Sequence, residues 1–387
     1  MPPAVVWTSP HIVWMIAHEP EVIDKTAKIL TCQEWFLKDM GADDYYIDYS
    51  NASLYGVMNI RGFEWDAGLS AALGIDMAWL PKLVPSGVRV GEVSVAAAER
   101  TGLAAGTPLV TGGGDQQCAA VGAGVIAPGL AEVTLGTAGV TIAHQDEPRF
   151  DPSHRINCSA SAIAGARKWT SEGLTSAAAS SLRWFRDSVA GAADGDAYDA
   201  LNELAAAVPE GALGLLMLPY LAGSNAPNFN PDARAAFVGL TFAHGQGAMA
   251  RAVMEGVALE TRDILEFFTG LGTPLDEIRL SGGAAKSALW CQIQADVYAR
   301  PVRALREPEC AVLGAAMLGA MGAGVFDSMG EAVDAMVAVT GTYEPRPAAA
   351  ARYDELFGLF RQAYAGLADS GFFSRLAAFQ ATSSGPL

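Results

Sequence analysis

The chain has 387 residues, of which 51% are hydrophobic and 17% charged, enough for two domains with sizeable cores and unlike a disordered polypeptide. Its formal net charge of −17, with six scattered lysines, argues against a binder of nucleic-acid backbones, which needs clustered Lys and Arg. An acidic surface does not steer anions inward, so any anionic ligand must be held by local backbone N–H groups and a metal.

Five cysteines (Cys32, Cys118, Cys158, Cys291, Cys310) form no C-x-x-C pair, and the five histidines add no zinc-type spacing. That pattern reads as reduced, mostly buried thiols. No apolar run nears the ~20 residues of a membrane span, and the opening MPPAVVW lacks a signal peptide's basic region and cleavage site. A cytoplasmic location is the default.

In chain order, residues 20–39 open on Pro20 and carry helical apolar spacing at Ile23, Ala27, Leu30 and Leu37. A polar, turn-rich patch follows over 43–53. The stretch 65–105 reads as helices joined by loops at Leu80-Pro81 and Pro85-Ser86-Gly87. Leu109-Val110-Thr111 is a short strand, followed by three glycines, Asp115 and an Ala-rich helix. The segment 132–143 (EVTLGTAGVTIA) predicts two β segments around a turn at 136–139. A polar region with two prolines, 145–157, sets a domain boundary. A second domain then runs to about 340; its clearest unit is the strand 278–280, Ser281-Gly282-Gly283 and a helix through Val297. This echoes the strand–glycine–helix unit at 109–124 and suggests two α/β domains facing each other across a cleft. The tail 351–376 is patterned as an amphipathic helix, and the final ATSSGPL is expected to fray.

Three stretches could carry chemistry. In Gly112-Gly113-Gly114-Asp115-Gln116-Gln117, glycines between strand and helix bring a ligand close to the helix start. A carboxylate there can take a proton from a hydroxyl attacking phosphorus, and Gln116 can both donate to and accept from polyol hydroxyls. On spacing alone an Asp that caps its helix is the stronger reading. Thr134-Leu135-Gly136-Thr137-Ala138-Gly139 offers consecutive N–H groups and a hydroxyl suited to phosphate, although by itself an ordinary hairpin turn explains it better. In Ser281-Gly282-Gly283-Ala284-Ala285-Lys286-Ser287, small residues after a strand leave room for a flat ring; a close strand-to-helix crossing accounts for them equally well. The chain holds no G-x-x-x-x-G-K-[ST], G-x-G-x-x-G or G-x-S-x-G. Together the three stretches fit a phosphotransferase.

In this order the stretches resemble the FGGY carbohydrate kinases, the group that includes glycerol kinase, xylulokinase and gluconokinase. The likeness runs from about Thr8 to Arg361. It is carried by DYSNAS (48–53), Leu80-Pro81 with Gly91-Glu92-Val93, GGGDQQCAAVGAG, EVTLGTAGV, and Trp169 with Glu172-Gly173. It continues through LPYLAGSNAPNFNPDARAAFVGL, RAVMEGVALETRDIL, LSGGAAKSALWCQIQADVYARPV and ECAVLGAAMLGAMGAG.

The resemblance implies an actin-like (RNase H-like) α/β fold whose two domains close over ATP, Mg²⁺ and a small sugar or polyol, a ketopentose such as xylulose first among them. Residues 1–148 would form the sugar side, 149–345 the nucleotide side, and 346–387 a helical tail. Asp115 matches the family's catalytic base and Gln116 the neighbouring sugar-binding side chain. Gly136 and Thr137 match the phosphate turn, and Gly283 and Ser287, flanked by Gly282 and Ala284, match nucleotide contacts. Ala179 and Arg183 match a further nucleotide-side segment. No residue is assigned as a metal ligand. The implied chemistry is in-line γ-phosphoryl transfer to a hydroxyl, in a cytoplasmic protein that could pair as a homodimer.

The chain departs from the family in lacking its opening Asp-x-Gly-Thr hairpin, beginning instead at what resembles a later helix over 9–19. An incomplete first domain with an open sheet edge and uncovered apolar surface is therefore expected. That departure also supports the alternative of a non-catalytic nucleotide- or sugar-binding remnant. Ala179 and Ala284 stand where the family commonly has glycine.

Overall fold

The computed structural model describes residues 7–191 and 197–383, so the end of the expected frayed terminus, 384–387, lies outside the described residues. The chain forms two compact units built from interleaved segments. One gathers Met1–Pro128, His144–Ser171 and Glu309–Val337; the other gathers Gly129–Ala143, Glu172–Pro308 and Ala338–Leu387. The linear blocks 1–148, 149–345 and 346–387 do not coincide with these units. The reason is pairing: strand Gly129–Leu135 lies parallel to Leu275–Gly282, which draws the hairpin before residue 144 into the second unit.

In the first unit, helix Thr8–His18 buries Ser9 and Ile12 while Trp14 stays 54% exposed. The helix expected over 20–39 is broken into a single turn, Pro20–Ile23, and a separate helix, Cys32–Met40. Thr31 and Glu34 form a reciprocal capping box there, which starts a new helix and competes with continuation of the first. Between them the chain is tied down by the Ile29 N–H, which donates to the Trp79 carbonyl at 2.9 Å. Two short strands interrupt the stretch read as helical over 65–105. Lys82–Val84 pairs in parallel with Tyr46–Asp48, and Arg89–Glu92 pairs antiparallel with Pro108–Val110. Three or four residues are too few to display a strand's two-residue period. Among the described residues the sheet of Tyr46–Asp48 and Lys82–Val84 has two strands, and Trp35 and Phe36 are more than half exposed.

Helix Asp115–Gly122 crosses helix Cys310–Gly322 at van der Waals distance through paired glycines. A Cβ added at Gly314 would lie 1.9 Å from the Cys118 carbonyl oxygen, and one at Gly122 would lie 2.0 Å from that of Cys310. Beside the crossing, Cys118 and Val121 pack with Ala162, Ile163, Met317, Leu318 and Met329 in one apolar core.

The second unit is built on the strands Val339–Tyr343, Val302–Leu305, Leu275–Gly282 and Gly129–Leu135, neighbours in that order, with 139–143 completing the hairpin. The three central pairings run parallel between Leu275–Gly282 and both its neighbours, and antiparallel across the hairpin. Ile278, Leu280, Val133, Leu135 and Val302 are fully buried in it. Helix Gln246–Gly270 is buried along most of its length, and Arg251 donates to Glu255 at 2.7 Å and Tyr353 to Glu255 at 2.6 Å, while burial pushes the Glu260 carboxyl well above its usual range. The tail is two helices, Pro347–Asp369 and Phe372–Ser383, parted at Gly371, whose φ of +69° leaves the helical region. Tyr353 and Phe360 are buried in this unit's core, so the tail is part of it.

Candidate active site

In the first unit the glycine run ends strand Pro108–Val110 and opens helix Asp115–Gly122. Gly112 has open space around it, whereas its two successors are crowded. A Cβ at Gly113 would lie 2.6 Å from that of Ala162, and one at Gly114 would lie 2.3 Å from Oε1 of Gln117. Gly114 is the residue that caps the helix, and Asp115 is its first helical residue. The Asp115 carboxylate is exposed and accepts from the Gln116 N–H at 2.8 Å through Oδ1, while Oδ2 has only a 3.5 Å approach from the Gln116 amide. It makes no side-chain cap to the helix and sits at the helix's positive end. Gln117, by contrast, is buried and donates to Ser159 Oγ at 3.1 Å, so the two consecutive glutamines divide between solvent and core. Trp169 donates to the Ile60 carbonyl at 2.8 Å and packs on Phe63, which also meets Tyr49.

In the second unit the turn at 136–138 is held from one side. The Ala179 N–H donates to the Gly136 carbonyl at 2.8 Å, and the Ala178 N–H to that of Thr137 at 3.1 Å. Ser180 Oγ donates to the same Thr137 carbonyl at 2.6 Å. In a planar trans peptide the N–H points opposite to the C=O. Tying these two carbonyls toward helix Ala179–Trp184 thus turns the N–H groups of Thr137 and Ala138 away from it, where an anion can reach them. Arg183 adds a guanidinium 3.4 Å from the Thr137 hydroxyl. Gly136, Thr137, Ala179 and Arg183 are accordingly one cluster.

Beside it lies a cleft of about 420 Å³ lined by Ala179, Leu182, Tyr198, Asn202, Gly283, Ala284, Ser287 and Trp290. The size suits a small ligand with a flat ring. The two readings of the glycine pair separate between its members. Gly282, at φ +80°, lets strand Leu275–Gly282 approach Leu135, because a Cβ there would lie 2.7 Å from the Leu135 carbonyl oxygen. Gly283 has nothing nearer than 4.0 Å and lines the cleft. Ser287 caps helix Ala288–Tyr298 by accepting from the Trp290 N–H at 3.2 Å, and donates to Asn202 Oδ1 at 3.0 Å. With its oxygen so engaged, the Asn202 amide presents its NH₂ as the group available to a ligand. Asn202 and Tyr198 escaped sequence reading because helix Ala197–Ala206 shows only ordinary amphipathic spacing.

Behind the cleft and turn, Glu132 is fully buried on strand Gly129–Leu135. Burial pushes its carboxyl up to about 7, opposed by hydroxyl donation from Thr134 and from Ser281 at 2.7 Å. Its Oε2 has no partner. Among the described residues no three His, Cys, Asp or Glu side chains gather to hold a metal ion, and no helix is long and apolar enough to cross a membrane.

The first unit thus presents a glycine-flanked acid at a helix start, and the second an N–H turn beside a cleft. The C-terminal domain model of the FGGY family of carbohydrate kinases matches residues 131–323, and the N-terminal domain model matches residues 3–122. A xylulose kinase of Bacillus subtilis (strain 168) is 30% identical over 360 residues, spanning 92% of this chain and 70% of that protein. A gluconokinase of Bacillus licheniformis is 34% identical over 357 residues, 90% of this chain and 69% of its own. The crystal structure of xylulose kinase from Rhodospirillum rubrum superposes with a TM-score of 0.86 at 30% identity, covering 95% of this chain and 73% of that one. The chain belongs to the FGGY family of carbohydrate kinases and has the actin-like α/β fold of those enzymes.

Proposed function

We propose that this chain phosphorylates a small sugar at the expense of ATP, with the first unit on the sugar side and the second on the nucleotide side. The observation that carries the reading is the state of Asp115: exposed, at a helix start, with Oδ2 met only at 3.5 Å by the Gln116 amide. Asp115 takes the proton of the attacking hydroxyl as that oxygen bonds to the γ-phosphorus, and ADP leaves in line. Gln116 holds a neighbouring sugar hydroxyl. The N–H groups of Thr137 and Ala138, with Arg183, receive phosphate oxygens. The base lies against Gly283 and Ala284, with Ala179 and Ser287 at its edges and Gly282 keeping the strand close beneath. Mg²⁺, if bound with the nucleotide, would supply neutralisation of phosphate charge. Most of the rate then comes from positioning and electrostatics.

Similarity to a xylulose kinase and a gluconokinase supports a ketopentose such as xylulose as the first substrate to test and gluconate as the second. The experiment is ADP release over a panel of ketopentoses, gluconate and glycerol, with Asp115→Asn as the comparison. Sugar-dependent ADP release lost by at least ~100-fold in the variant is expected. Nucleotide binding without ADP release for any sugar would replace the reading with that of a binding protein.

A further inference from the structure

The DYSNAS block lies at the end of strand Tyr46–Asp48 and forms the helix Tyr49–Ser53, and the proposed chemistry leaves it without a task. Asp48 is fully buried, and among the described residues it forms no ion pair. Its carboxyl oxygens are met instead by hydrogen bonds. Oδ1 accepts from the Ser50 N–H at 2.9 Å, the Asn51 N–H at 3.2 Å, the Ser50 hydroxyl, and Ser86 Oγ at 3.3 Å. Oδ2 accepts from the amides of Asn51 at 2.6 Å and Gln33 at 3.0 Å. Because the Ser50 hydroxyl gives its one proton to Asp48, its oxygen is left as an acceptor, and it takes the N–H of Gly114 at 2.9 Å. Gly114 is the residue immediately before Asp115. The same helix is tied on its other side by Ser53, whose hydroxyl accepts from the Ala160 N–H at 3.0 Å.

We infer that Asp48 and Ser50 are positioning residues for Asp115: a buried carboxylate orients one hydroxyl, which fixes the peptide that aims the base. The arrangement suits positioning because every link is buried, while the carboxylate it aims is exposed. Glycines 112–114 have no side chains with which to anchor themselves, and at Gly113 the Ala162 Cβ leaves no room for one. The inference rests on the reading of Asp115 as the base.

The test is Ser50→Ala, with Ser50→Thr as the variant that keeps the hydroxyl. For Ser50→Ala we expect kcat to fall on the order of tenfold to a hundredfold, as misplacement of a reacting group by about 1 Å does, with KM for ATP unchanged. Hydrogen exchange at 112–116 should rise, and Ser50→Thr should recover most of the turnover. Asp115→Asn is measured alongside. Turnover lost in Asp115→Asn but kept in Ser50→Ala overturns the positioning role alone. Turnover kept in Asp115→Asn overturns the base reading and this inference with it. A parallel loss of kcat and nucleotide affinity in Ser50→Ala, unrelieved by Ser50→Thr, marks a merely structural serine and also overturns it.

Discussion

Glu132 shows how a single residue can set a pH dependence for the whole second unit. Its carboxyl is neutral in the folded chain up to about pH 7, whereas the same group in the unfolded chain ionises near 4.5. Between those two values the unfolded state has released a proton that the folded state keeps, so stability falls as pH rises through that window. Glu132→Gln stays neutral and retains an acceptor for Ser281 and Thr134. Its melting temperature should therefore exceed that of the parent at about pH 8 and approach it at about pH 5. An equal difference at both pH values would show that Glu132 does not titrate in this way. At this scale the sequence was informative about residue type and silent about partners. Gly136, Thr137, Ala179 and Arg183 were each named from resemblance, but their union into one cluster depends on carbonyl directions that no spacing reveals. Gly282 and Gly283, adjacent and chemically identical, have different tasks because one faces the Leu135 carbonyl and the other open space.

At the level of elements, the helix that carries Asp115 is located by its crossing with Cys310–Gly322. Gly314→Ala places a methyl 1.9 Å from a backbone oxygen that cannot rotate away, so the helices must separate. We expect a loss at or above the ~1–3 kcal/mol typical of overpacking, read as a lower melting temperature, together with reduced turnover because the helix moves. Gly319→Ala on the same helix meets nothing within 4 Å and should be neutral or stabilising by up to about 1 kcal/mol. Equal melting temperatures for the two variants would remove the crossing as the cause. Long or strongly signalled elements were legible beforehand: the hairpin around 136–138, residues 278–280 of strand Leu275–Gly282, and the helix through Val297 within Ala288–Tyr298 follow from pattern. Lys82–Val84 and Arg89–Glu92 were not, because their identity as strands comes from partners distant in sequence. The capping box at Thr31 was in plain view but was outweighed by apolar spacing that ran through it.

For the whole molecule, 42 acidic against 25 basic residues predict an unusual response to salt. An enzyme with a net charge of −17 repels a polyanionic nucleotide at long range, and salt screens that repulsion. Stopped-flow association of ATP should therefore speed up as ionic strength rises from ~0.01 M to ~0.15 M, opposite to the trend for a nucleic-acid binder. A rate that falls instead would mean that Arg183 and its neighbours dominate the field the ligand meets. The interleaving of the units has a consequence of another kind, for the order in which the ribosome delivers them. The helix bearing Asp115 leaves the exit tunnel early, yet the surface it packs against, Cys310–Gly322, is encoded almost two hundred codons later. Until that segment is made, Gly122 and the apolar side of the nascent helix have no lid, whereas the second unit can begin to form from contacts already present. The helix proposed to carry the base thus waits for most of the chain to be made, and the second unit is closed later still by Ala338–Leu387, so the quality of the site depends on how well a half-covered helix is protected during synthesis.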